Sequence, residues 1–494
     1  MLLIQKDLIQ YKILVYKYKR DMLNKKTKIV ATLGPASNKP EVLKEMFFQG
    51  VNVCRLNFSH GSHEDHLANI KLIRKLNKET GLNVAILADL QGPKIRTHEI
   101  ENNGVELVDG TIVSIVTEKV LGTKEKFSIN YESLPRDVKK GEKILLDDGK
   151  IILEIQSTDG KEVKAKVLNG GILSSKKGVN LPNTKISMPS LTAKDKEDLQ
   201  FALEHNVDWI ALSFVRSARD IIELKHIIKH AKGKAKVISK IEKPEALNDI
   251  DDIIEQSDGV MVARGDLGVE IPYQNVPLIQ KMLINKCRLN AKPIIVATQM
   301  MESMIENITP PRAEVNDVAN AVLDGADAVM LSGETSVGKH PIEVIKTISN
   351  IVREIETFDG IYNKEELPEK SQARFITDSI CFNAVRLAQR TETDAIITMS
   401  FSGYTAYKIA SQRPTAPVYV FTSNRDILTQ LNLVWGVQAF FYDKMVSTDH
   451  TIADIKYIMK KQGLLKLGDL VINVASIPLE ESGRSNMLKL SYVE

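Results

Sequence analysis

The chain has 494 residues, 43% of them hydrophobic and 26% charged, with a formal net charge of +3. That length predicts two to four domains around a large core, and no run approaches the ~18 to 20 apolar residues of a membrane span. The excess charge sits in the first 21 residues, where Lys6, Lys12, Lys17, Lys19 and Arg20 face Asp7 and Asp21, so the rest is balanced and nothing argues electrostatically for nucleic acid.

Residues 1–21 alternate apolar and basic side chains as an amphipathic helix does, without a small-residue cleavage site. They read as an upstream extension, with Met22 as the effective start. From residue 28 the pattern becomes strand, helix, strand. Short runs rich in Val, Ile and Ala recur at 28–33, 51–56, 84–88, 208–213, 236–241, 259–263, 293–297 and 327–331. Helical patterns separate most of them. Eight such units predict a (β/α)₈ barrel, formed by 22–96 and 190–357.

The runs end in polar residues: Arg55 and Asn57, Asp89, Ser213, Lys240 and Glu242, Arg264 and Asp266, Thr298 and Gln299, Ser332 and Glu334. In a barrel these ends converge on one mouth, where ligands bind. The densest stretch is 236–270, in which two runs each stop at a cation followed two residues later by a carboxylate.

Residues 97–189 interrupt the alternation. They lack helical periodicity and are cut by Asp109-Gly110, Asp148-Gly149, Asp159-Gly160 and Gly170-Gly171, which predicts a small β-barrel inserted at the mouth. An insertion there is placed to act as a lid that excludes water. After about residue 358 a separate α/β domain begins, with strands expected at 394–400, 417–422, 437–442, 469–475 and 487–493. Its first strand leads into Ser400, Ser402, Gly403 and Thr405 before a helix, and the loop before its last strand holds Ser482, Gly483, Arg484 and Ser485. Hydroxyls and free N–H groups at a helix start can hold phosphate, so these loops are a candidate effector site. Cys54, Cys287 and Cys381 are far apart and in no metal-ligand spacing, which fits a reducing cytoplasm.

Several strings resemble one family. TKIVATLGPAS at 27–37, VNVCRLNFSHGSHEDH at 51–66, GPKIRT at 92–97, KKGVNLP at 176–182, ISKIE at 238–242, DGVMVARGDLGVE at 258–270, PIIVATQMMESMI at 293–305 and ANAVLDGADAVMLSGET at 319–335 resemble pyruvate kinases, in order, from about residue 22 to the end. The resemblance implies a barrel, an inserted β-barrel and a carboxyl-terminal domain that serves effector and subunit contacts. It also implies transfer of the phosphoryl group of phosphoenolpyruvate to ADP, the last step of glycolysis. An aldolase-like barrel enzyme and a non-catalytic metabolite-binding homologue are the alternatives. The first lacks the NFSHG and KKGVNLP strings, and the second is disfavoured by the presence of every catalytic position.

By resemblance, Glu242 and Asp266 hold Mg²⁺, which Mn²⁺ can replace. Arg55 and Lys240 face the phosphoryl group. Gly265 and Asp266 offer backbone N–H groups to the substrate carboxylate, and Thr298 belongs to the proton network. Asn57, His60, Arg96 and Lys177 are expected at the nucleotide. Arg264 reads as a structural clamp. The family's K⁺ site corresponds to Asn57, Ser59 and Asp89, followed commonly by Thr and, later in the loop, Glu. Here those last two positions are Leu90 and Lys94, so the Lys94 ammonium is expected to replace K⁺, which is then not required. A homotetramer answering to a phosphorylated effector is also implied.

Overall fold

The computed structural model describes residues 25–444, 447–477 and 484–494. The expected extension 1–21, Met22, Ser482 and Gly483 lie outside the described residues. Eight strands form a closed, all-parallel barrel: β1 Lys28–Thr32, β2 Val53–Asn57, β3 Ala85–Asp89, β4 Trp209–Leu212, β5 Lys236–Ile241, β6 Gly259–Ala263, β7 Ile294–Ala297 and β8 Ala328–Leu331. Each pairs with its sequence neighbours, and β1 closes on β8 through Lys28 opposite Ala328 and Ile29 opposite Val329.

Side-chain alternation explains why these strands read as unbroken apolar runs. Val30, Val53, Leu87, Trp209, Ile238, Met261, Ile295 and Met330 point inward and fill the barrel. Ile29, Cys54, Ile86, Ile210, Val237, Val260 and Val329 point outward under the helical layer. Both faces are buried, as all-parallel sheets require. No helix among the described residues is long and apolar enough to cross a membrane.

The insertion leaves after β3 and returns before β4. Its strands form a six-stranded sheet and a separate two-stranded ribbon, Val105–Leu107 with Gly171–Leu173, around one apolar cluster. The segment 95–98 joins the two edges of the six-stranded sheet and closes it as the expected small barrel. Beside the edge strand Val179–Asn180 the Val179 N–H donates to the Ile95 carbonyl at 3.0 Å and the Thr97 N–H to the Lys177 carbonyl at 2.9 Å. Beside Lys126–Ser128 the His98 N–H donates to the Ser128 carbonyl at 2.9 Å and the Asn130 N–H to the Arg96 carbonyl at 3.0 Å.

The carboxyl-terminal sheet has the order Val437–Phe441, Val418–Thr422, Ala395–Met399, Leu470–Ala475, Met487–Tyr492. Only the last strand runs antiparallel. This region closes the floor of the barrel. Leu433 joins the barrel-interior cluster, and Asn432 donates to the carbonyls of Asn52 and Asn83 at 3.1 and 3.0 Å. Arg413 grips Asp327 with two bonds of 3.2 and 3.1 Å, both residues buried.

The floor also holds three lysines, with Lys25 and Lys28 buried and Lys26 partly so. Lys28 donates to the carbonyl of Val437 at 2.8 Å, and Lys26 stacks over the rings of Tyr362 and Trp435. Lys25 donates to the carbonyl of Thr27 and to Asn52 Oδ1. Glu356 faces them, accepting from the backbone N–H groups of Lys26 and Thr27. Burial, with Lys28 beside it, lowers the Lys25 ammonium from 10.5 to about 7. Between those values the unfolded chain holds a proton that the folded chain has released, so stability rises with pH across that window. Urea unfolding from pH 7 to 10 is expected to show wild type gaining roughly 3 kcal/mol more than Lys25→Met; parallel profiles would contradict this.

Candidate active site

The barrel mouth holds a compensated knot of charge. Asp89 ends β3, and its carboxylate accepts from Arg55 Nε at 2.6 Å and lies 3.2 Å from Lys240 Nζ. Arg55 also donates to Thr32 Oγ1 at 2.9 Å. Lys240 donates to Ser213 Oγ at 2.7 Å and pairs with Glu242 Oε1 at 2.9 Å. The second Glu242 oxygen accepts from the Phe214 N–H at 2.7 Å. The ends of five strands, β1 to β5, thus meet within hydrogen-bonding distance.

Burial sets the charge states. For Lys240 it opposes the ammonium, but Asp89 and Glu242 outweigh it and hold the pKa above the ordinary lysine value. Asp89 pays the same desolvation and is still lowered by Lys240 and Arg55. Glu242 is raised: burial and the Asp266 charge outweigh Lys240. Two carboxylates facing each other with one pushed toward protonation form a site short of positive charge. Hard oxygen donors in that setting suit a divalent cation that keeps waters and substrate oxygens in its shell. Among the described residues no larger His, Cys, Asp or Glu cluster competes for a metal.

The loops around the knot are strained. Phe214, Thr298 and Gln299 all have positive φ, at 54°, 68° and 53°, a costly conformation for a β-branched Thr. Arg264 holds Thr298 there. It pairs with both oxygens of Asp317 at 2.7 Å and donates to the carbonyl of Thr298 at 2.7 Å. The Thr298 hydroxyl donates to the Ala297 carbonyl and accepts from the Gly265 N–H at 2.8 Å. A Cβ on Gly265 would sit 3.4 Å from that hydroxyl, so a side chain there would crowd the contact. The Gly265 N–H, expected to meet substrate, is therefore already bonded within the loop.

Beside the knot opens a cleft of about 950 Å³ lined by Lys94, Asp148, Arg264, Gly265, Asp266 and Gln299. Asp148 comes from the insertion, so the insertion forms one wall. The chain matches the family models for the pyruvate kinase barrel domain over residues 24–345 and the pyruvate kinase alpha/beta domain over 378–491. The chain belongs to the pyruvate kinase family.

Relatives agree along nearly all of this chain. A pyruvate kinase of Geobacillus stearothermophilus is 45% identical over 95% of this chain and 81% of its own, and one of Staphylococcus aureus is 44% identical over 95% and 80%. A crystal structure of a pyruvate kinase from Cryptosporidium parvum superposes with a TM-score of 0.88 at 34% identity, covering 96% of this chain and 97% of that one. As a pyruvate kinase family member the chain is a phosphotransferase.

Not every expected residue reaches the cleft. Arg96 and Lys177 come together in the insertion, where Arg96 bridges to Gly178 and Lys177 pairs with Asp147 at 2.9 Å. Asn57 ends β2 and His60 lies on the loop after it, with Asn57 Oδ1 taken by the Ser59 N–H. None of these four lines the cleft. The Lys94 ammonium has no hydrogen bond or ion pair among the described residues, and Leu90 is buried in the outer core.

In the carboxyl-terminal domain Ser400 Oγ accepts from the Gly403 N–H and Ser402 Oγ from that of Tyr404. Thr405 bonds Ser485 at 2.9 Å, so the two candidate effector loops do meet. Sequence reasoning missed the Lys243–Glu270 pair and the Phe214 N–H; the Lys directly after Glu242 was the one available signal for the former. Arg264 behaves as the clamp expected. Replacing its fork with a point charge should misplace Thr298, so Arg264→Lys is expected to lower turnover by about tenfold to a hundredfold; steady-state kinetics at the wild-type rate would remove the clamp from the account.

Proposed function

We propose that the chain performs its family's reaction, transfer of the phosphoryl group of phosphoenolpyruvate to ADP, with the residues of the barrel mouth. The observation that carries this is the protonated Lys240 held between Asp89 and Glu242 at the barrel mouth. A phosphoryl group in flight carries spread negative charge, and fixed cations in a dry site stabilise it. Lys240 supplies that charge, and Arg55 adds a fork of donors beside it. The bond from phosphorus to the enol oxygen breaks, one to a terminal ADP oxygen forms, and the enolate takes a proton at carbon to become pyruvate.

Glu242 and Asp266 hold Mg²⁺, or Mn²⁺ in its place, which when bound neutralises phosphate and carboxylate charge. The Thr298 hydroxyl has its donor and one lone pair engaged, which leaves one lone pair to anchor the water that protonates the enolate. Arg96 and Lys177 serve ADP from the insertion, which acts as a lid; Asn57, at the end of β2, and His60, in the loop after it, approach from the barrel. Ser400, Ser402, Gly403 and Thr405 take a phosphorylated effector in a homotetramer. Three buried free cysteines suit a cytoplasmic enzyme.

The monovalent-cation requirement is lost. Leu90 offers no side-chain oxygen, Asp89 is saturated by Arg55 and Lys240, and Lys94 brings a positive charge to the cleft. Pyruvate formation from phosphoenolpyruvate, ADP and Mg²⁺ should proceed in potassium-free buffer and rise by less than about tenfold with KCl, because Lys94 already supplies the charge. A larger rise overturns the Lys94 assignment, and no pyruvate under either condition overturns the function.

A further inference from the structure

One contact joins the insertion to the barrel at the mouth without touching the charge knot. Asn180, in the strand Val179–Asn180, donates from Nδ2 to Glu270 Oε1 at 2.8 Å. The same oxygen receives Lys243 Nζ at 2.6 Å. The Glu270 side chain is 0% exposed and that of Lys243 7%. Glu270 Oε2 is buried with no hydrogen-bond partner, an expensive state for a carboxylate oxygen. Asn180 is the donor that the insertion adds to this pair.

Each partner is tied to the reaction's residues by the chain itself. Lys243 directly follows Glu242. Glu270 ends the short helix Arg264–Glu270 that contains Gly265 and Asp266. On the other side, Asn180 lies three residues after Lys177, and the intervening backbone is pinned: the Gly178 carbonyl accepts from the Asp147 N–H at 3.1 Å and the Val179 N–H donates to the Ile95 carbonyl at 3.0 Å. Seating Asn180 on Glu270 therefore also places Lys177. Lys243 lines a narrow pocket between the two bodies with Asp148, Gly178, Phe214 and Asp266.

We propose that Asn180, Glu270 and Lys243 form a latch that sets the closed position of the insertion, with Asn180 as a positioning residue for the nucleotide half of the reaction. This rests on the reading of the insertion as a lid. When Asn180 withdraws, the buried Glu270 carboxylate keeps Lys243 as its one side-chain partner among the described residues, so seating Asn180 adds a second bond to a buried charge. Phosphoenolpyruvate is held by barrel residues, which keep the Lys243–Glu270 pair when Asn180 withdraws.

The test is steady-state kinetics on full-length Asn180→Ala, Asn180→Asp and Lys177→Ala. Removing a hydrogen bond to a buried charge should raise the ADP KM or lower kcat by about tenfold to a hundredfold in Asn180→Ala, with the phosphoenolpyruvate KM nearly unchanged. Asn180→Asp keeps the size but sets a carboxylate against Glu270, so it should be worse than Asn180→Ala; a packing role predicts the reverse. Wild-type ADP kinetics in Asn180→Ala, equal changes in both KM values, or an Asp variant milder than Ala overturns the latch. Lys177→Ala separates the two readings: a raised ADP KM there with silent Asn180 variants defeats the latch alone, and an unchanged one defeats the lid and the latch with it.

Discussion

Asp89 sits between two cations, and the rest of the mouth depends on that arrangement. Buried arginine and lysine side chains repel one another, and neither would stay charged and ordered in a barrel without a counter-charge. Asp89 takes Arg55 on one oxygen and Lys240 on the other, which fixes where both point. Glu242 completes the compensation at Lys240 and is itself steadied by the Phe214 N–H. The cations are thus oriented before any substrate arrives, and preorganised charge of this kind needs no rearrangement at the moment of reaction.

The fold supplies the dry base that makes these charges effective. Trp209, Met261 and Met330 fill the barrel below the mouth, and Leu433 reaches up from the carboxyl-terminal region to the same cluster. Water is excluded from beneath the knot, so the knot is screened less than a surface ion pair. The carboxyl-terminal domain therefore has a part in the active site's electrostatics even though none of its residues lines the cleft. The strained Phe214, Thr298 and Gln299 mark where loops are bent to serve the mouth, with Arg264 as the brace that holds two of them.

Much of the barrel was legible because parallel strands buried on both faces leave continuous β-branched runs, and each of the eight lies within two residues of its expected start. Arg55, Lys240, Glu242 and Thr298 were legible for a related reason: charged and polar residues at strand ends have one place to go in a barrel. Long-range pairings were not. Lys243 and Glu270 are 27 residues apart, and Leu433 carries no local sign that it plugs the barrel. The left-handed Phe214 and Thr298 lacked the glycine that usually announces positive φ. The insertion's Asp-Gly turns were plain, whereas the short segment 95–98 that joins the two edges of its sheet carries no local sign of that role. The Gly265 N–H looked free because its partner, Thr298, lies 33 residues away.

The central claim is that Lys240, kept protonated by Asp89 and Glu242, is the charge aimed at the moving phosphoryl group. Turnover of Lys240→Met, which keeps the stem and removes the ammonium, tests it most directly. The account predicts a fall in kcat on the order of 10²-fold or more in a variant that unfolds like wild type, and a folded variant that turns over at the wild-type rate would contradict it.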